Sequence, residues 1–268
     1  MKFTVILPIH NDEAMLRMTL NSVYALAPDE VIFCLDRCTD GSLDLIRKNA
    51  EKREINIRLM FFEEQDITWR FRSAYMRRLA YFCSSNDTIV NTSADLNLCP
   101  SIKKHLEKIP EYGLISFGYL DRWTLATFAG RLHQIIRKDG FGGLLALSRQ
   151  AWLETEDIQD LKKVAQGEDD HLHHAISSKY KTCNIVTNSL HLRPVRWSNQ
   201  YLCGVDTRRA GEVSGATLLY RSLLRLNPEF IVGYRHACMV KQRGGDLDEF
   251  AYRVIQRSKG RGKHYDNV

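Results

Sequence analysis

Long apolar runs are missing from this sequence. No stretch approaches the roughly 20 consecutive apolar residues that a bilayer-spanning helix needs, so no membrane span is expected. The opening MKFTVILPIHND carries one lysine and a short apolar run. That run stops too early for a signal-peptide core and lacks a small-residue cleavage site, so it reads as a first strand. Paired cysteines are missing too. Cys34, Cys38, Cys83, Cys99, Cys183, Cys203 and Cys238 are odd in number, scattered, and never spaced as C-x-x-C. This argues against a disulfide framework and against a cysteine zinc site, and it leads us to expect a reducing, cytoplasmic setting. No G-x-G-x-x-G follows the first apolar run, which disfavours a dinucleotide cofactor. There is no internal repeat and no low-complexity segment. Strong charge of one sign is also absent: the net charge is +6 over 268 residues and the basic residues are mostly mixed with acids. Nucleic acid is therefore not the expected partner, whereas an anionic small molecule or membrane surface fits. Only Arg257–Lys263 is a concentrated basic run, at a tail that reads as solvated.

What is present is an ordinary globular composition, 44% hydrophobic and 26% charged. The first hundred residues alternate short β-branched runs with helical spacing. Phe3–Leu7 reads as a strand, broken at Pro8–Asp12, and Glu13–Ala27 as a helix capped by Asn11 or Asp12. Val31–Leu35 is a second strand, and Ser42 caps the helix after it. Ile55–Phe62 is a third strand, and Trp69–Phe82 is helical in its second half. Thr88–Val90 is a fourth strand, followed by the polar cluster Ser93–Asn97 and closed by Pro100. Continuous apolar strands alternating with helices predict an α/β fold with a parallel sheet covered on both faces. Beyond residue 100 the spacing predicts strands at Gly113–Tyr119, at the end of Gly140–Ser148, and at Thr182–Thr187. It predicts helices from Arg149 to Glu156, within Gln166–Ser178, at Glu212–Leu226 stopped by Pro228, and at Leu247–Ser258.

Polar residues at the ends of parallel strands make a ligand crevice. Asp36, Asp95 and the Pro8–Asp12 loop share that edge, although each aspartate also suits an ordinary turn. Gly167-Glu168-Asp169-Asp170 places three carboxylates at a helix start. They either favour the helix dipole or supply a general base. His171, His173 and His174 follow, and Asp170 with His174 has i, i+4 spacing. That is a weak metal signal, and an oxygen-rich Mn²⁺ or Mg²⁺ site borrowing one histidine fits better. Arg70, Arg72, Arg77 and Arg78 form a basic set suited to phosphate, with Arg77 or Arg78 expected to turn toward the crevice. Arg208, Arg209, Arg221 and Arg225 surround the Glu212–Leu226 helix, which either packs on the domain or lies on an anionic membrane.

Five of these stretches, in order, resemble the family 2 glycosyltransferases of the GT-A fold: VILPIHNDEAMLRMTLNSV, VIFCLDRCTDGSLDLI, TIVNTSADLNLCP, GFGGLLALSRQAW and GEDDHL. The resemblance runs from about Phe3 to His191. It implies a Rossmann-like, mostly parallel sheet with helices on both faces and a smaller acceptor-side half. In domain terms, 1–191 is the glycosyltransferase domain, with 1–100 the nucleotide-binding half and 101–191 the acceptor half. Residues 192–268 are a helical, basic extension packed on it, flexible from about 258. The resemblance puts Pro8, His10 and Asp12 at the nucleobase and ribose, Asp36 at the base, and Arg77 or Arg78 near the diphosphate. Ser93 and Ala94 lie in the DxD-like segment, whose last position, Asp95, holds the metal, with His191 as a late metal ligand. Gly142, Gly143 and Glu168 fall on the acceptor side, and Asp169 is the catalytic base. Two departures stand out. Ser93 replaces the first DxD carboxylate, and Arg37 stands where a second aspartate is common.

The resemblance implies an inverting, Mn²⁺- or Mg²⁺-dependent transfer of a hexose from a nucleotide-diphosphate sugar to a saccharide or lipid-linked acceptor hydroxyl. A peripheral membrane contact through the basic C-terminal region goes with that reading. The other readings are a non-catalytic sugar-nucleotide-binding protein and a basic nucleic-acid-associated protein. A sugar-nucleotide pyrophosphorylase is disfavoured, because no glycine-rich G-x-G-T-R loop follows strand one.

Overall fold

A computed structural model describes residues 1–63, 69–121, 143–155, 168–192, 229–242 and 244. Within these, only the backbone is described for 69–71, 120, 121, 168–171, 229–233 and 236. The chain divides into two compact units. The first is Met1–Arg122 with Arg131–Arg193, and the second is Trp123–Gly130 with Pro194–Val268. In the second unit the described element is a helix, α7, at Glu229–Gln242, which buries Tyr234 and Ala237 three residues apart. The periodicity did not anticipate it, because Pro228 had been read as a terminator. Proline is equally at home just before a helix, where its missing N–H costs nothing. The predicted helices at Glu212–Leu226 and Leu247–Ser258 lie outside the described residues.

The first unit is built on one eight-stranded sheet. Its strands are β1 (Phe3–Ile9), β2 (Glu30–Asp36), β3 (Asn56–Phe62), β4 (Thr88–Asn91), β5 (Leu96–Asn97), β6 (Tyr112–Asp121), β7 (Leu145–Ser148) and β8 (Lys181–His191). The order is β3-β2-β1-β4-β7-β6-β8-β5. The β3-β2-β1-β4 half is wholly parallel. In the other half β7 runs antiparallel to both neighbours, β6 and β8 are parallel, and β5 is antiparallel to β8. The sheet is thus mostly parallel, as expected, with the mixed pairing confined to the half beyond β4.

Period-two alternation divides the apolar residues between the two faces. Val5, Leu7, Val31, Phe33 and Val90 pack with Leu16, Leu20 and Val23 of α1 (Glu13–Ala25) and with Ile46 of α2 (Ser42–Ala50). Ile6, Ile32, Cys34 and Ile89 pack with Met76, Ala80 and Tyr81 of α3 (Trp69–Cys83). That second face also holds Trp152 of α5 (Arg149–Thr155), and Leu172 and Ile176 of α6 (Glu168–Ser177). A short α4 (Lys103–Leu106) completes the first face. Trp152 is fully buried, edge-on to Tyr81 at 5.0 Å and to Phe82 at 4.9 Å, which fixes α5 against α3.

At the amino ends of the strands, the buried Glu30 carboxylate accepts from Thr4 Oγ1 and from the Ser85 amide, each at 2.8 Å. A buried charge needs such partners, and this set ties the loop before β4 to β1 and β2. At the carboxyl ends, the crossover β3-α3-β4 carries the chain past β1 to its other side. The order therefore reverses between β1 and β4, which is where open α/β sheets form their crevice.

Several elements of the first unit differ from the sequence-based expectation, beginning with β1, which runs through Pro8 to Ile9 instead of breaking at Pro8. The helix after β3 covers all of Trp69–Cys83 rather than its second half. Leu96–Asn97, read as the end of a polar cluster after the strand, pairs with Leu190–His191. The last strand runs on to His191, which is its final residue rather than a residue beyond it.

Candidate active site

Two groups of side chains meet the crevice. The first lies at the ends of β1 and β2. Asp36, last in β2, is buried, and Arg72 Nε lies 2.9 Å from each of its carboxylate oxygens. Arg72 Nη2 adds a 2.5 Å bond to Oδ1 and reaches the carbonyl of Phe62 at the end of β3. Arg37 Nε donates to the same Oδ1 at 3.0 Å. Burial pushes the Asp36 carboxyl up, but the hydrogen bonds and charges of Arg72 and Arg37 outweigh it and hold it below the ordinary value. His10 Nδ1 donates to the Asp36 carbonyl at 2.7 Å.

The loops carrying these residues are clasped together. Asn11 Oδ1 accepts from the Thr39 amide at 2.7 Å, and the Asp40 carboxylate accepts from the Glu13 amide at 2.9 Å, at the start of α1. Asp12 is the N-cap residue of that helix, as expected, but its carboxylate accepts from the His10 amide at 3.2 Å rather than from the helix's first turn. Ser42, expected to cap α2, is its first residue and accepts from the Asp12 amide at 3.1 Å. Asn11 and Arg37 have left-handed backbones, with φ of 54° and 44°. Asparagine tolerates that conformation, whereas in arginine it costs roughly 1–2 kcal/mol.

The second group follows β4. Asp95 Oδ2 lies 3.3 Å from His191 Nε2, across the β5–β8 pairing that sets Leu96 beside His191. The Leu192 amide donates to the Asp95 carbonyl at 2.9 Å, closing the same junction. Ser93 Oγ donates to Asp95 Oδ1 at 2.5 Å, fixing the rotation of the carboxylate. Thr19 Oγ1 of α1 donates to the buried Ala94 carbonyl at 2.6 Å, which anchors this loop to the helix. The Tyr119 ring lies 5.7 Å from that of His191 and tilted 34° to it. A cation with bonds of about 2.1 Å in octahedral geometry places adjacent donors about 3 Å apart. The Asp95–His191 pair has that spacing, so a carboxylate oxygen and an imidazole nitrogen suited to a hard divalent ion fit it.

The other expected residues are placed as follows. Pro8 lies within β1, paired with Cys34. Arg77 and Arg78 are buried on the α3 face. Arg77 is close enough to lower the thiol of Cys34, which burial pushes up to about 12. Among the described side chains of α3, Arg72 is one whose guanidinium reaches the strand ends. It lies in the first turn, five residues or about 7.5 Å nearer the helix start than Arg77. Gly143 adopts φ +89°, and a Cβ built there would meet the Tyr119 hydroxyl at 3.5 Å, so this turn faces the same ring as His191. Gly142 lies outside the described residues. Glu168 and Asp169 open α6, which packs against β6 and β8, and their side chains are outside the description. His173 is buried and His174 exposed; among the described residues no three histidine, cysteine or acidic side chains cluster as metal ligands. Tyr119 was missed by the sequence reading. Its signal is the alternation Ile115, Phe117, Tyr119 along β6.

The Asp36–Arg72 pair makes a testable claim about pH. Removing the guanidinium leaves a buried carboxylate without its main partner, a change that costs about 3–5 kcal/mol. An Arg72→Met protein is expected to show that loss in urea unfolding at pH 7. Because the folded Asp36 value is lowered, its contribution is complete above the ordinary aspartate value of about 4 and is lost as pH falls through the folded one. The gap between wild type and variant should therefore narrow in acid. A gap that stayed constant with pH would contradict the assignment.

Comparison with known proteins agrees with this architecture. The sequence matches the profile of glycosyl transferase family 2 over residues 4–157, more than half of the chain. No curated protein sequence matches it. Among solved structures, it is similar to a mannosyltransferase from Pyrobaculum calidifontis in complex with GDP-Man and Mn²⁺. That match has 19% identity and a TM-score of 0.58, and covers 98% of this chain and 81% of that one. It is also similar to glucosyl-3-phosphoglycerate synthase from Mycobacterium tuberculosis in complex with Mn²⁺, UDP and phosphoglyceric acid. There the identity is 17% and the TM-score 0.54, over 80% of each chain. A third is TarS from S. aureus, at 16% identity and a TM-score of 0.53, covering 81% of this chain and 41% of that one. At these identities the structural likeness speaks to the fold, and the fold is GT-A. With the sequence match spanning β1 to α5, the chain belongs to glycosyl transferase family 2.

Proposed function

We propose that this protein is an inverting, metal-dependent glycosyltransferase that moves a hexose from a nucleotide-diphosphate sugar to an acceptor hydroxyl on a saccharide or lipid-linked precursor. The observation that carries the proposal is the Asp95–His191 pair, 3.3 Å apart at the end of β4, in a chain of this family. Two similar structures, the Pyrobaculum and Mycobacterium enzymes, hold Mn²⁺ with a guanosine or uridine nucleotide, which supports a divalent ion and such a donor here.

In this reading Asp95 and His191 hold Mn²⁺ or Mg²⁺, and Ser93 keeps the Asp95 carboxylate turned for that purpose. When bound, the ion supplies positive charge against the diphosphate leaving group. His10, with Pro8 and Asp12 behind it, lines the nucleoside end. Asp169 takes the proton from the acceptor hydroxyl. The acceptor oxygen then attacks the anomeric carbon opposite the departing diphosphate, which inverts its configuration. The chain's contribution is positioning and fixed charge, the terms expected to dominate such transfers. The Gly143 turn beside Tyr119 borders the acceptor side. The proposal extends to a peripheral contact between the basic C-terminal region and an anionic membrane, supported by the charge of Arg257–Lys263.

The direct test is a panel of nucleotide sugars scored by thermal unfolding in Mn²⁺. A donor present at 100 times its Kd stabilises the folded state by about 2.7 kcal/mol. At least one donor should raise the unfolding temperature by several degrees, and that rise should vanish in EDTA. A panel in which no nucleotide sugar shifts the transition would defeat the proposal.

A further inference from the structure

The β1/β4 reversal fixes where an extended ligand lies. With its phosphates at Asp95 and His191, beyond β4, a nucleotide crossing the end of β1 reaches the end of β2. Two strand spacings make that path about 10 Å, the reach of a nucleoside diphosphate from its phosphates to its base. The groups at the β2 end are His10, Asp36 and Arg37.

A carboxylate there would read a base through its N–H donors. Asp36 is badly placed to do so. Its side chain is only 8% exposed, and both oxygens are engaged by Arg72. What the protein presents in front of it is the guanidinium of Arg37, 40% exposed, and the imidazole of His10, 54% exposed. Arg37 Nε is bonded to Asp36 Oδ1, and its two Nη groups carry no hydrogen bond among the described residues. The left-handed backbone at Arg37, φ 44°, is a strained conformation held where side-chain direction matters. His10 Nδ1 is tied to the Asp36 carbonyl at 2.7 Å, so the ring is held in one orientation with its face available for stacking.

We propose that Arg37 is the specificity-determining residue of the donor site: it reads the acceptor edge of the base, and the preferred donor is a guanine nucleotide. An end-on guanidinium pairs two parallel N–H donors with guanine O6 and N7, the commonest specific arginine–base contact. Asp36 is then a positioning residue, whose charge orients Arg37 and Arg72. This inference rests on the nucleotide-sugar reading above, and its test separates the two.

The experiment is calorimetric titration of the wild-type protein with GDP, UDP, CDP and ADP in Mn²⁺. GDP is expected to bind about 10- to 100-fold more tightly than the others, the range of one bidentate arginine–base contact. Arg37→Gly, which tolerates the left-handed backbone, should lose that preference while still binding all four. Arg37→Lys keeps the charge but lacks the fork, and should lose it too. Equal weakening of every nucleotide in Arg37→Gly, with recovery in Arg37→Lys, would place the guanidinium on a phosphate and overturn the inference. Tightest binding of UDP would also overturn it. Binding without base preference overturns this inference alone, whereas no binding of any diphosphate overturns the nucleotide reading with it.

Discussion

An Asp169→Asn protein is expected to lose sugar transfer by a factor of about 10²–10⁴ while binding the donor as tightly as the wild type. Asparagine keeps the size and the hydrogen-bonding reach of the side chain but cannot accept a proton at neutral pH. The loss should appear in kcat, because the proton moves only in the transition state. Asp169 stands second in α6, whose Leu172 and Ile176 are buried against the sheet face below, so the helix start is held by the core. Exchanging the carboxylate for an amide of the same size should leave the fold intact, which a urea unfolding curve checks. Transfer at close to the wild-type rate would show that Asp169 is not the base.

Asp95→Ala is expected to be as damaging, through a different quantity. It removes the one carboxylate of the Asp95–His191 pair, and with it the charge stabilisation of the leaving group, at a cost in kcat on the order of 10²–10³. Adding Mn²⁺ should not restore the rate. The complementary variant tests the unusual residue of the segment. Ser93 donates to Asp95 Oδ1 at 2.5 Å, so a carboxylate at that position faces Asp95 directly. Ser93→Asp should therefore be less stable than the wild type without metal, because two like charges repel, and should bind Mn²⁺ more tightly once it is added. A Ser93→Asp protein whose metal affinity was unchanged would contradict the single-carboxylate site.

The parallel half of the sheet was legible because its strands are buried on both faces and so read as unbroken apolar runs, Val31–Leu35 above all. The β5–β8 junction was not, because a two-residue strand leaves no period to detect. That junction brings residues nearly a hundred positions apart into contact, yet Asp95 and His191 had both been singled out as metal ligands from motif order. Arg72 shows the opposite case. In WRFRSAYMRR the arginines are equivalent by composition, and nothing local separates Arg72 from Arg77 or Arg78. Arg72 is distinguished by the whole of α3 being helical, which sets its first turn beside Asp36, a partner in another element. Arg37 was noticed as a departure, but its backbone strain and its bond to Asp36 are visible only in three dimensions. Helix α7 failed for a simpler reason: a proline marks the start of a helix as readily as the end of one.

The measurement that bears most directly on the account is a calorimetric titration of the wild-type protein with the nucleoside diphosphate of its best donor, in Mn²⁺ and again in EDTA. Saturable one-site binding is expected in Mn²⁺ and at least 10-fold weaker binding in EDTA, a factor equivalent to about 1.4 kcal/mol. The same affinity in both buffers would contradict a metal site at Asp95 and His191.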